Sequence, residues 1–279
     1  MKRKFDFGEL LLSLVKCGGY LAVYFLINVV VSAPLVLANP NADVNELSVK
    51  YALPLTLLAN AVFILATAMF YNMKSRHSSF QERVGIKPFN KKALPYIVCL
   101  GICVLYSVNL IISLAITYLP VPESWIKMLN ENSEAILSSG MFLQILTVAI
   151  IGPIAEELLF RGLMLGSLSK HCNKWLAIIA TSIVFGLVHG HPIGIIYASC
   201  LGVLMGWLYC KTESLIAPII FHMIYNLISV TSPAMDDLTF VIVGGVGIMI
   251  SISCIAMIAK TPKYTPPSDG NNDNKNDEV

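Results

Sequence analysis

Charge is what this chain has least of. Asp, Glu, Lys and Arg make up 13% of its 279 residues, where soluble domains average about 25%. Hydrophobic residues account for 56%, and mean hydropathy is +0.72. Such a chain cannot build an ordinary soluble surface, so the solvent for its apolar side chains must be a bilayer. The net charge of +2 is too small for a phosphate-neutralising surface, which argues against nucleic acid as a partner. The seven cysteines are odd in number, include no Cys-x-x-Cys, and mostly lie inside apolar runs. There they act as small hydrophobes, so neither a disulfide framework nor a zinc knuckle is expected. His-Glu-x-x-His is also missing. No internal repeat is visible, which counts against a transporter carrying protons on Glu156 and Glu157.

Long apolar runs are what the chain has instead. A spanning helix needs about 20 mostly apolar residues. Stretches meeting that description lie near 10–37, 52–73, 95–118, 139–167, 175–190, 193–210, 214–230 and 239–259. The expected fold is all-α: a polytopic bundle of about eight transmembrane helices over residues 1–260, with a polar intramembrane cavity. The first run is too long for a signal-peptide core and is expected to stay as a span. The segment 261–279, TPKYTPPSDGNNDNKNDEV, is polar and expected to be a disordered cytoplasmic tail.

Loop charges predict the orientation. Lys2, Arg3 and Lys4 precede the first run, and Lys74 to Lys92 form a basic second loop. Lys170, Lys174, Lys211, Lys260 and Lys263 follow on the same side. The alternate loops carry Asp43, Glu46, Glu123, Glu131, Glu134, Asp236 and Asp237. Basic loops stay cytoplasmic, so both termini are expected inside, in a multi-pass protein of a bacterial plasma membrane.

Against this apolar background a few polar residues stand out. A charge at membrane depth costs roughly 2.5–3.5 kcal/mol on insertion scales, so each needs a partner or a task. In IIGPIAEELLFRGLM, Glu157 and Arg161 are four apart and share a helix face. Glu156 is turned about 100° away, free to act as a base. His189 ends IVFGLVH, four residues after Phe185, and His191 follows as a weaker candidate before Pro192. Counted from the turn near Lys170–Lys174, Glu156 and His189 lie about 20 and 24 Å along antiparallel neighbours, at matching depth. In APIIFHMIYN, His222 and Asn226 share a face and both carry N–H donors suited to an oxyanion. Gly202 and Gly206 permit close helix approach and would bring the fifth and seventh spans together. The structural alternatives are a buried ion pair for Glu157–Arg161, an interfacial His189, and an interhelical clamp of about 1 kcal/mol for His222–Asn226.

EELLFR, FGLVH and HMIYN resemble the E-E-x-x-x-R, F-x-x-x-H and H-x-x-x-N motifs of the CAAX prenyl protease and bacteriocin-processing family (CPBP, or Abi) of intramembrane proteases. The resemblance covers roughly residues 140–230. It implies that Glu156 and His189 activate a water and that His222 and Asn226 stabilise the oxyanion. Glu157 and Arg161 would be the supporting acid and arginine, and Phe185 would line the site. No Ser or Cys is visibly paired with a base, so acyl-enzyme chemistry is not expected. The resemblance fits a metal-independent glutamate mechanism with no required cofactor. The alternative is Zn2+ held by Glu156, His189 and His222 with water as the fourth ligand. The expected substrate is a membrane-associated peptide or protein, lipidated or not, cleaved at the lipid bilayer. A non-enzymatic bacteriocin-immunity or peptide-binding scaffold is the rival reading.

Overall fold

The computed structural model describes residues 6–74, 79–137, 139–233 and 235–266, and every regular element among them is helical. Helix α1 (Phe7–Ala38) starts where the Asp6 carboxylate accepts the Gly8 and Glu9 N–H groups. It runs beside α2 (Val44–Lys74). A one-turn helix α3 (Phe80–Val84) is closed by a Ser79/Glu82 capping box and ended by Gly85 at φ 83°, a conformation natural to glycine. Then come α4 (Leu94–Tyr118), α5 (Glu123–Leu137) and the continuous α6 (Met141–Leu168). The chain finishes with α7 (Lys174–Leu187), α8 (Pro192–Thr212), α9 (Ile216–Thr231) and α10 (Asp237–Lys260).

Six of these helices are long and apolar enough to cross a membrane, and α7 and α9 are shorter apolar helices. Together they occupy the eight expected stretches, so the polytopic all-α fold is borne out. Lipid-facing side chains such as Val23, Leu26, Val241 and Met249 are exposed, while the core is built mainly from α4, α6, α8 and α9. Helices α7 and α9 have 14 and 16 residues. At 1.5 Å per residue each is about 21–24 Å long, short of a hydrocarbon layer of about 30 Å. Both are sheltered by neighbours: α7 lies along α8, and α9 lies between α4 and α6.

The glycine pair does not act where it was expected. A Cβ at Gly202 would sit 2.8 Å from the Ser182 Cβ, and one at Gly206 would sit 2.9 Å from the Ile178 Cγ2. The pair therefore draws α8 onto α7, the sixth span onto the fifth, rather than the fifth onto the seventh. Only a residue without Cβ lets the two backbones approach this far.

Three features were not anticipated. Helix α5 occupies the acidic segment expected to be a loop, and it packs against α2, α6 and α8. It is too polar to be found by a search for spans. Helix α6 is wound in π register over Ile145–Ile151 and Leu158–Leu165, with the Gly152 N–H on the Thr147 carbonyl and the Gly166 N–H on that of Arg161. The fifth span also stops short, because α7 ends at Leu187 and leaves His189 in the following turn.

Beyond α10, the first residues of the expected tail are held. Asn90 Nδ2 donates to the Pro262 carbonyl, and Lys263 pairs with Glu213. Hydrogen bonding to Lys263 and its charge lower the Glu213 carboxyl below its ordinary range. Residues 267–279, the rest of that segment, lie outside the described residues.

Replacing Gly206 by Val should force α8 off Ile178 and destabilise the bundle by about 1–3 kcal/mol, the range for overpacking. Thermal unfolding in detergent reads this; an unchanged midpoint would show that α7 and α8 tolerate wider spacing.

Candidate active site

The polar centre of the bundle is organised around one carboxylate oxygen. Glu157 is 0% exposed and Arg161 1%. Arg161 Nη1 donates to Glu157 Oε1 at 2.7 Å, the pair expected from their four-residue spacing. Arg161 Nη2 donates across to the Gly202 carbonyl of α8 at 3.0 Å. The guanidinium also lies 4.6 Å from the Phe185 ring centroid, a cation–π contact to α7. The same Oε1 faces His222 Nδ1 of α9 at 3.0 Å. An ionised carboxylate only accepts, so Nδ1 carries the hydrogen. His222 Nε2 is thereby turned towards Glu156 Oε2, 3.8 Å away and beyond direct hydrogen-bond reach.

Glu156 has a different environment. Its side chain is 30% exposed and faces a cavity of about 600 Å³. Phe185, His189, His222 and Asn226 line the same cavity, whereas Glu157 and Arg161 stand behind its wall. The seven residues singled out in the sequence thus converge, five on the cavity surface and two as its backing. Helical rotation separates the adjacent acids: one is locked in an ion pair, and its neighbour faces open space.

His189 reaches the cavity from the turn after α7. Its Nδ1 lies 2.8 Å from the Phe185 carbonyl, one of those that the end of a helix leaves open. That contact makes Nδ1 the donor and leaves the Nε2 lone pair free in the neutral ring. The Phe185 and Tyr197 rings flank it, with centroids at 4.9 and 6.3 Å. His191 has a structural role: its Nδ1 accepts the Gly194 N–H and caps α8. Burial lowers its tendency to protonate, as does the nearby His189.

Asn226 has a partner that α6 itself creates. Pro153 has no N–H to give the preceding turn. In the local π register that hydrogen would have gone to the Val148 carbonyl, and Asn226 Nδ2 donates there instead, at 2.8 Å. One Asn226 N–H is therefore committed, and one remains.

Tyr197 and Asn60 also line the cavity and were missed from sequence. Asn60 Oδ1 accepts from Tyr24 OH at 3.0 Å. The signal that could have found Asn60 is an amide inside the second apolar stretch; Tyr197 has none, since tyrosine is common in spans. As for a metal, among the described residues no three His, Cys, Asp or Glu side chains gather closely enough to hold one. On the cavity surface, the Nε2 atoms of His189 and His222 make no hydrogen bond to the protein among the described residues.

Residues 138–228 match the family model described as Type II CAAX prenyl endopeptidase Rce1-like. The match spans all three motifs and bears out the recognition made from them. Of three curated relatives, two carry names in accord with it. The chain is 32% identical over 99 residues to the protein named "Putative membrane peptidase YdiL" of Bacillus subtilis (strain 168), covering 35% of this chain and 41% of that one. It is 29% identical over 175 residues to the membrane-embedded CAAX protease MroQ of Staphylococcus aureus (strain USA300), covering 59% and 68%. It is 36% identical over 81 residues to the UPF0177 protein YxdF of Lactococcus lactis subsp. lactis (strain IL1403), covering 29% and 44%. The chain thus spans less than half the length of two of the three. No solved structure matches it.

Arg161→Ala would strand the Glu157 carboxylate in the core and should destabilise the protein by about 3–5 kcal/mol. Glu156→Gln, at a half-open position, should leave the unfolding midpoint close to wild type. Denaturant unfolding in detergent compares them, and equal midpoints would remove the distinction between a structural and an available glutamate.

Proposed function

We propose that this chain is an intramembrane endopeptidase that hydrolyses a peptide bond through a water activated by Glu156 and His189. The observation that carries the reading is the convergence of Glu156, His189, His222 and Asn226, from α6, the α7 turn and α9, on one cavity inside a membrane bundle. The Rce1-like match over the same stretch supports it.

In this scheme water binds between Glu156 and His189. The Glu156 carboxylate takes one proton and His189 Nε2 accepts the hydrogen bond of the other, as oxygen attacks the scissile carbonyl carbon. The carbonyl π bond opens and its electron pair becomes the oxyanion. His222 Nε2–H and the uncommitted Asn226 N–H receive that charge. Because the Nδ1 hydrogen of His222 already serves Glu157, donation from Nε2 requires the doubly protonated ring. In that state Glu156, Glu157, Arg161 and His222 sum to zero charge, a condition a low-dielectric site can sustain. The intermediate then collapses: the C–N bond breaks, and the proton held by Glu156 passes to the leaving amine. Glu157 and Arg161 act as positioning residues, orienting His222 and Phe185. Every step uses side chains of this chain alone, with no metal ion.

The substrate class is a membrane-associated peptide or protein, with a prenylated CAAX protein, a peptide pheromone and a bacteriocin precursor as the candidates. In this reading both termini are cytoplasmic in a bacterial cell, as the basic loops favour, and α5 and the His189 end then lie at the opposite face.

Purified protein in detergent, assayed against lipidated and leader-bearing peptides, tests the mechanism. Glu156→Gln and His189→Ala should each lower kcat by about 10²–10⁴, the range for a positioned acid–base group, and a chelator should have no effect. Full activity in Glu156→Gln would overturn the mechanism. Loss on chelation with recovery on zinc would transfer it to a metal. Peptide binding or protection that survives in Glu156→Gln without any cleavage would favour an immunity or scaffold protein.

A further inference from the structure

The cavity has a second half that the chemistry above does not use. Away from Glu156, its wall mixes apolar side chains (Leu53, Leu105, Ile112, Leu129 and Ile136) with polar ones: Asn109 of α4, Asn130, Asn132 and Ser133 of α5, and Ser229 of α9. Ser133 donates to the Leu129 carbonyl within its own helix. Asn109, Asn130, Asn132 and Ser229 are exposed, and among the described residues they make no hydrogen bond within the protein. Apart from Glu156, the cavity lining carries no Asp, Glu, Lys or Arg.

Water satisfies these exposed amides in the free protein, and a ligand that displaces it must offer matching groups. Each asparagine presents an acceptor oxygen and two donor hydrogens. An isoprenoid or acyl chain offers neither: it could lie against the leucines and isoleucines of the wall but would leave the amides unpaired. An extended polypeptide offers one N–H and one C=O per residue, and both are costly to leave unpaired out of water. The absence of charge selects a segment that is itself uncharged. Spacing adds a register. His222, Asn226 and Ser229 share one face of α9, and Ser229 is about 10 Å along the axis from His222 at 1.5 Å per residue. An extended chain covers that distance in about three residues at roughly 3.3 Å each.

We propose that this vestibule binds an uncharged, extended segment of the substrate through backbone hydrogen bonds to Asn109, Asn130, Asn132 and Ser229, about three residues from the scissile bond, and that any lipid on the substrate lies outside it. The assignment rests on the proteolytic reading of the neighbouring half of the cavity. Helix α5 is then the specificity element, since it supplies both Asn130 and Asn132 and closes the cavity against α2, α6 and α8.

The test uses full-length protein in detergent and internally quenched uncharged peptides, each made with and without a farnesyl group. N-methyl versions remove the backbone N–H three residues to either side of the cleaved bond. Asn130→Ala/Asn132→Ala, at exposed positions, should raise KM about tenfold with kcat little altered, the loss expected from two or so hydrogen bonds. The effect should be equal for farnesylated and plain peptides. N-methylation on one side should raise KM in the wild type and add little in the double variant. An unchanged KM, or an effect confined to the farnesylated peptide, would overturn the vestibule while Glu156-dependent cleavage left the proteolytic reading intact. Fluorescence anisotropy of the same peptides separates the converse case. Binding that depends on Asn130 and Asn132 without cleavage would keep the vestibule and remove proteolysis. Peptides neither cleaved nor bound would overturn both.

Discussion

Arg161 is a guanidinium that never reaches water, and much of the bundle's centre is arranged to make that tolerable. Glu157 neutralises it from one turn away, the Gly202 carbonyl takes a second N–H, and the Phe185 ring covers its face. A buried charge without these partners would cost several kcal/mol, more than single contacts elsewhere return. The consequence is mechanical as well as energetic. One oxygen, Glu157 Oε1, joins α6 to α9 through His222, while the arginine joins α6 to α8 and α7. The ion pair thus fixes where four helices meet.

That junction also orients the side chains proposed to react. With Nδ1 of His222 on Glu157, Nε2 has only one direction left, towards Glu156 and the cavity. With Nδ1 of His189 on the Phe185 carbonyl, its Nε2 is freed in the same way. The two rings are set by unlike devices, a carboxylate in one case and an open helix end in the other, and both leave one nitrogen available. Proline contributes through Val148, whose carbonyl would lack a donor without Asn226. The π register of α6 on both sides of Glu156 fits a general tendency for such turns to occur at functional sites.

Helix α5 shows how the polar and apolar parts of the molecule meet. It lacks the hydropathy to span, yet it is enclosed enough to form one wall of the cavity. A membrane helix bundle can hold an aqueous or peptide-filled space only where protein, not lipid, supplies the boundary. The short helices α7 and α9 meet the same condition, and they carry Phe185, His222 and Asn226 inward.

The eight apolar stretches were legible because hydropathy is local and a bilayer demands it of every span. The Glu157–Arg161 and His222–Asn226 faces were legible because four-residue spacing places side chains together within any helix. His189, expected as a catalytic group, does line the cavity, but the turn that carries it was not legible, since helix ends depend on capping contacts. His191 became a cap and the Gly202–Gly206 pair met a different helix, because spacing says which face is narrow and not which neighbour fills it. Helix α5, Tyr197 and Asn60 acquire meaning only from what faces them across a gap. By itself the sequence determined the membrane class, the spans and the paired polar faces, all set by periodicity along one chain. Only the tertiary structure decided that one glutamate is locked and its neighbour open, and that an amide-lined space adjoins them. Those distinctions are made by atoms from distant helices competing for the same few hydrogen-bonding groups.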